Sequence, residues 1–157
     1  MGVLPLVPGS HLVVHTRLIV PGEPETKERP RFTRTGRAYT TNKTAAKEAE
    51  IGQLWSYSRI GRVPDGTQFA IRVVARFAVP KSHKNVKGEV RECKFSALPG
   101  PKKDIDNVLK LVLDALNSVA YVDDRYCIAA IVTKQWCPAH QLVGETEINI
   151  TWTDPTE

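Results

Sequence analysis

Between Lys102 and Asp124 the chain reads KKDIDNVLKLVLDALNSVAYVDD, and no other stretch restricts so narrowly what the whole can fold into. Ile105, Val108, Leu109, Val112 and Leu116 recur at three- and four-residue steps, as the apolar stripe of a helix docked on a core does. The polar residues on that helix are unusual. Asp104 and Asp106 fall in its first turn, Lys110 stands four residues after Asp106, and Asp123 and Asp124 follow in the turn past its end.

Each carboxylate has an ordinary structural explanation. Asp104 suits an N-cap, Asp106 complements the helix dipole, and Asp106 with Lys110 makes an i,i+4 pair worth about 0.2–0.5 kcal/mol. A helix needs one cap, however, and Asp104-Ile105-Asp106-Asn107 supplies three oxygen-bearing side chains there, with Asp123-Asp124 brought back by the following turn. A group of hard oxygen donors with one cation beside it is what a magnesium site for phosphate chemistry requires.

This run resembles the signature of RusA-type Holliday junction resolvases, endodeoxyribonucleases in which a D-x-D-N-x-x-K helix is followed by a D-D turn. The likeness covers Lys102 to Asp124 and is specific in order and spacing; Arg29 to Tyr39 is also similar to the basic early segment of many members, and the rest agrees only in layout. The resemblance implies a structure-specific endonuclease that uses Mg²⁺, or Mn²⁺ in its place, to resolve four-way DNA junctions by paired phosphodiester hydrolysis in recombination and repair. Residue by residue, it implies Asp104, Asp106, Lys110 and Asp124 as the catalytic group, and Asp104, Asp106, Asp123 and Asp124 as metal ligands. It also implies a homodimer, since a four-way junction has twofold symmetry and is cut on two strands. Two alternatives stay open: a non-catalytic protein that binds branched DNA, which need not keep the three acids together, and a nuclease acting on forks or flaps. A different phosphotransfer enzyme would carry a glycine-rich phosphate cradle, and neither GxGxxG nor GxxxxGK occurs.

A length of 157 residues suits one domain over 1–157, with residues 1–10 as a flexible N-terminal segment. With 41% hydrophobic and 25% charged residues, the composition is that of a globular protein. Met1 to Pro8 lacks a basic n-region and a signal-length apolar run, and no stretch is long enough to span a membrane, so a cytoplasmic protein without a membrane partner is expected. Cys93, Cys127 and Cys137 have neither CxxC spacing nor an even count, which supports neither a zinc knuckle nor a disulfide framework. The net charge of +5 is unevenly spread: residues 1–103 hold 19 Lys/Arg against 8 Asp/Glu, and residues 104–157 hold 3 against 9. A basic part could cover phosphates while an acidic part holds metal.

Along the chain, His11 to Val20 reads as a first strand. Arg29, Arg31, Arg34 and Arg37 then alternate with Phe32 and Tyr39 around a Thr-Gly turn. Such a ribbon could grip phosphates and stack its aromatics on unpaired bases, or it could be a solvated hairpin with both rings tucked onto the core. Thr41 to Ser58 reads as a helix capped by Thr41 or Asn42, with Ala45, Ala46, Ala49, Ile51, Leu54 and Trp55 facing a partner. Phe69 to Val79 alternates as a strand. Lys81, Lys84 and Lys87 lie in what reads as a long mobile loop running to Lys102 and Lys103, and all five lysines are candidate DNA contacts. Pro64-Asp65 and Glu92-Cys93-Lys94 are spaced like a PD-(D/E)xK nuclease pattern, which is short enough to arise by chance. Cys127 to Trp136 and Glu147 to Trp152 make two closing strands. The expected fold is a small α+β domain of the α/β type, order β-α-β-α-β-β, with two helices packed on one side of a mixed sheet whose strand order the sequence does not reveal.

Overall fold

Four long strands and two helices carry the core of the structure, a computed structural model that describes residues 12–29, 31–91 and 103–154. The elements are β1 (Val13–Pro21), β2 (Arg31–Phe32), β3 (Ala38–Tyr39), α1 (Asn42–Tyr57), β4 (Phe69–Phe77), α2 (Ile105–Leu116), β5 (Cys127–Trp136) and β6 (Glu145–Thr153). The main sheet has the order β1-β6-β4-β5, while β2 and β3 form a separate hairpin. β6 runs antiparallel to both β1 and β4, and β4 is parallel to β5. Neighbouring strands that run the same way need a crossover, and α2, between β4 and β5 in sequence, supplies it. The α+β arrangement of a mixed sheet with two helices is as expected.

Alternation sorts the two faces of the sheet. Phe69, Ile71, Val73 and Ala75 of β4 join Leu18 and Val20 of β1 and Ile148 and Ile150 of β6 in one buried cluster with both helices. The opposite face carries an ion network, in which Arg17 lies 3.2 Å from Glu147, and Arg76 lies 2.8 Å from Glu147 and 3.0 Å from Glu145. β5 departs from simple alternation at its start. Phe69 pairs with Cys127 but Ala70 pairs with Ala129, so Ile128 is the extra residue of a bulge. Ile128, the surplus residue, is 64% exposed.

Both helices dock through fewer of the expected residues than their patterns suggest. α2 buries Val108, Leu111, Val112, Ala115 and Leu116, whereas Ile105 is exposed and Leu109 only partly covered. Two overlapping apolar stripes fit a helix this rich in apolar residues, and the sheet selects the one centred on Leu111 and Ala115. α1 starts at Thr41, whose side chain accepts from the Thr44 amide, and buries Thr44, Ile51, Gly52 and Trp55. Ala45, Ala46 and Ala49 are at the surface, because alanine favours a helix by propensity and need not be buried. A Cβ on Gly52 would stand 3.2 Å from the Ala115 carbonyl, so glycine sets how closely α1 approaches α2.

Residues 22–28 cross the helix pair as a strap. Glu23 accepts from the amides of Gly144 at 2.8 Å and Ala78 at 3.2 Å. The Lys27 amide donates to the Asn107 carbonyl at 2.9 Å, and its ammonium pairs with Glu48 of α1 at 2.8 Å and with Asp114 of α2. Burial pulls the Lys27 pKa down, but the hydrogen bonds to Asp114 and Glu48 outweigh it and leave the pKa raised. Past α2, Tyr121 is buried, stacks on Phe69 with ring centroids 4.3 Å apart, and donates to the Leu113 carbonyl at 2.8 Å. Burial drives its phenol pKa well above the usual range.

The segment 81–91, read from the sequence as mobile, is folded locally. A single turn of 3₁₀ helix spans Lys81–His83, a bridge joins Lys84 to Val90, and the Asn85 side chain accepts from the Glu89 amide at 2.9 Å. Asparagine side chains close turns of this kind on their own backbone, which apolar periodicity does not register. The segment before residue 12, the Glu92-Cys93-Lys94 pattern and Lys102 lie outside the described residues. No helix among the described residues is long and apolar enough to cross a membrane.

Candidate active site

The N-terminus of α2 projects Asp104, Asp106 and Lys110 into solvent from one end of the buried helix. Asp104 occupies the N-cap position with extended backbone angles, φ −70° and ψ 135°, yet its carboxylate makes no capping hydrogen bond. Among the described residues it accepts from the Asn107 side-chain amide, at 3.3 Å. The ordinary role of an aspartate at this position is therefore not the one it plays. Asp106 and Lys110 are exposed and have no ion-pair partner among the described residues, so the i,i+4 pair open to them is not formed.

The peptide entering this turn is firmly held. Lys103, just before Asp104, gives its ammonium to Glu25 of the strap at 2.6 Å, and Glu25 also pairs with Lys43 of α1 at 3.1 Å. Burial pushes the Glu25 pKa up, but the bonds from Lys103 and Lys43 win and leave it lowered. On the other side, Lys134 of β5 donates to the Lys103 carbonyl at 3.0 Å. Neither Glu25 nor Lys134 is picked out by a motif. The signal for Lys134 is its phase: it falls in register with Ala75 and in step with the partly buried Val132 and Trp136.

Asp123 and Asp124 stand elsewhere. They follow the C-terminal end of α2 and precede β5, so a helix of 12 residues, about 18 Å long at 1.5 Å per residue, separates them from Asp104 along the chain. Asp123 caps a short 3₁₀ turn, accepting from the Arg125 amide at 2.9 Å, and lies 3.7 Å from the Arg125 guanidinium. Asp124 opens that 3₁₀ turn, and its carboxylate has no ion-pair partner among the described residues. Among the described residues no three His, Cys, Asp or Glu side chains converge as a metal-binding group. The sequence expectation had the turn carry Asp123 and Asp124 back to the first two aspartates; in the isolated chain the two acidic pairs occupy the two ends of α2.

The basic residues divide by availability. Arg31, Arg34 and Arg37 are exposed on the β2–β3 hairpin and Arg29 just before it, with Arg31 4.0 Å from Glu28. The hairpin turn closes through Thr33, whose amide donates to the Arg37 carbonyl at 2.9 Å, and Gly36 takes φ +80°, a conformation that favours glycine. Phe32 is 71% exposed and Tyr39 47%, so the rings are not tucked onto the core. Lys81 and Lys87 are exposed, Lys84 donates to the Ala139 carbonyl at 2.8 Å, and Lys103 is committed to Glu25.

Comparison with known proteins adds one positive finding. The chain matches the family described as endodeoxyribonuclease RusA over residues 21–151, a span that holds both helices, the hairpin and all four of these aspartates. No curated protein matches it.

Proposed function

The chain belongs to the endodeoxyribonuclease RusA family, and we propose that it is a Mg²⁺-dependent nuclease that resolves four-way DNA junctions by cutting two strands, in DNA recombination and repair. The observation that carries this reading is the unspent pair at the α2 N-terminus: an N-cap aspartate that makes no cap bond, beside an exposed Asp106 and Lys110. Carboxylates withheld from the helix are hard oxygen donors of the kind Mg²⁺ or Mn²⁺ takes. Bound there, a divalent cation supplies Lewis acidity toward a phosphodiester. Asp104 and Asp106 hold it, with Asp124 and the adjacent Asp123 as further ligands. Lys110, one turn along on the same side as Asp106, offsets charge that develops on the phosphate oxygens. Arg29, Arg31, Arg34 and Arg37 grip the backbone, and Phe32 and Tyr39 offer faces to unpaired bases.

A homodimer fits both the substrate and the separation of the acidic pairs. The outer edge of β5 has no neighbouring strand among the described residues, and Ile128 and Ile131 are 64% and 60% exposed on that strand. The stretch Cys127–Thr133 of this edge carries no charge, and apolar edges of this kind are normally covered. A second copy seated on this edge gives Asp124 of the partner subunit a route to the first chain's Asp104 and Asp106.

The test is Asp106→Asn, which removes a charge and changes little else. It should abolish Mg²⁺-dependent nicking of a synthetic four-way junction while leaving junction binding in EDTA intact. Near wild-type cleavage by this variant would sink the assignment, and cleavage of forks or flaps in preference to junctions would replace the substrate.

A further inference from the structure

A charged residue on the inward face of a strand needs a reason, because an ammonium removed from water without a partner is costly. Lys134 is such a residue, and its ammonium reaches the Lys103 carbonyl at 3.0 Å. That carbonyl belongs to the peptide that leads into Asp104. The same residue is held from the opposite side through its own ammonium, by Glu25 at 2.6 Å. Lys103 is thus fixed at both its backbone and its side chain, by β5 and by the strap. The helix itself restrains the Asp104 side chain through a long 3.3 Å bond from the Asn107 amide, since that side chain makes no cap bond. A first turn without a cap frays readily, and two carboxylates on a fraying turn cannot keep a constant separation.

We propose that Lys134 is a positioning residue for the metal site: its grip on the Lys103–Asp104 peptide holds Asp104 and Asp106 in the arrangement that binds a divalent cation. This rests on the reading that those carboxylates are metal ligands. Lys134 acts through the backbone and touches neither cation nor DNA. Contacts one step behind a metal ligand typically govern 10–100-fold in metal affinity or activity, roughly the effect to be expected here.

The experiment compares wild type, Lys134→Met and Lys134→Arg. Mn²⁺ affinity is measured calorimetrically on the DNA-free protein, junction binding in EDTA, and kcat and KM for nicking across a Mg²⁺ series. Lys134→Met should bind Mn²⁺ about 10–100-fold more weakly and lower kcat at fixed Mg²⁺, with part of the loss recovered by more Mg²⁺. Its KM, its junction binding in EDTA and its Tm should stay near wild type. Lys134→Arg should restore most of the affinity, since a guanidinium can donate to the same carbonyl. Equal Mn²⁺ affinity in all three proteins would overturn the proposal. So would tighter Mn²⁺ binding by Lys134→Met, which would mean that the lysine acts by charge, and so would weakened EDTA binding with a shallower salt slope, which would make it a phosphate contact. Wild-type protein that binds Mn²⁺ but nicks no DNA refutes the nuclease reading alone, and the affinity comparison still decides the role of Lys134. Wild-type protein that binds no Mn²⁺ refutes both.

Discussion

Asp114→Asn separates stability from catalysis on a single helix. Asp114 lies on α2 with the candidate ligands, but its carboxylate is turned to Lys27 of the strap, which also holds Glu48 of α1. A hydrogen bond to a charged group contributes about 1.5–3 kcal/mol when well buried. Two features reduce that here. The Asp114 side chain is 29% exposed and Lys27 19%, so solvent screens the pair, and Glu48 remains 2.8 Å from the ammonium after the substitution. The expected loss is therefore about 1 kcal/mol, or roughly 2–4 °C in Tm for a domain of this size. Lys27→Met should cost more, because it leaves two carboxylates facing each other across the helix pair. Thermal melts give the stability, and junction nicking at saturating Mg²⁺ gives the rate, which should stay within about twofold of wild type for Asp114→Asn. Lost nicking with unchanged Tm would move Asp114 into the site. A destabilisation as large as that of Lys27→Met would show that Glu48 does not hold the lysine alone.

Lys110→Ala should fold normally and bind the junction with similar affinity, yet cleave it on the order of 10²–10³ more slowly; a rate within about threefold of wild type would make Lys110 a plain surface residue. Neutralising Arg29, Arg31, Arg34 and Arg37 together should weaken junction binding and flatten its salt dependence, because each lost phosphate contact reduces counterion release; an unchanged slope would place the hairpin away from DNA. Hydrogen bonds from Arg17 first, then Asn149 and Arg76, bring the Glu147 pKa from 4.5 down to about 2. Since the folded-state value lies below the unfolded one, this stabilisation is complete above pH 4.5 and is lost as the pH falls toward 2. Glu147→Gln should thus show a shallower fall of Tm over that window, and identical pH profiles would refute the assignment.

What the sequence made legible was local. The 3.6-residue period of α2 and the alternation of β4 each report one element facing one core, and both elements lie where those patterns put them. The failures share a cause. Ile105 and Leu109 fit the helical period as well as Leu111 and Ala115 do, and only the sheet beneath decides between them. The strap's contacts, Lys27 with Asp114 and Lys103 with Glu25, join residues 87 and 78 positions apart, and pairings of that reach leave no periodic trace. Of the candidate site, the placement of Asp104, Asp106 and Lys110 at one end of a helix was legible. The site was not legible as a shape, because the length of α2 holds Asp123 and Asp124 away and no property of the residues themselves reports that distance.

The bulge at Ile128 limits how this chain can vary in length. From Ala129 to Lys134 every residue of β5 is matched one to one with β4, so losing or gaining a single residue there inverts parity and turns Lys134 to the face that carries Ile131 and Thr133. Ile128 is outside that count. It is one surplus unit between the Asp123–Asp124 turn and the matched ladder, and it can be removed without inverting anything downstream. Related chains are therefore free to differ by one residue at the foot of β5, but within the ladder only by two.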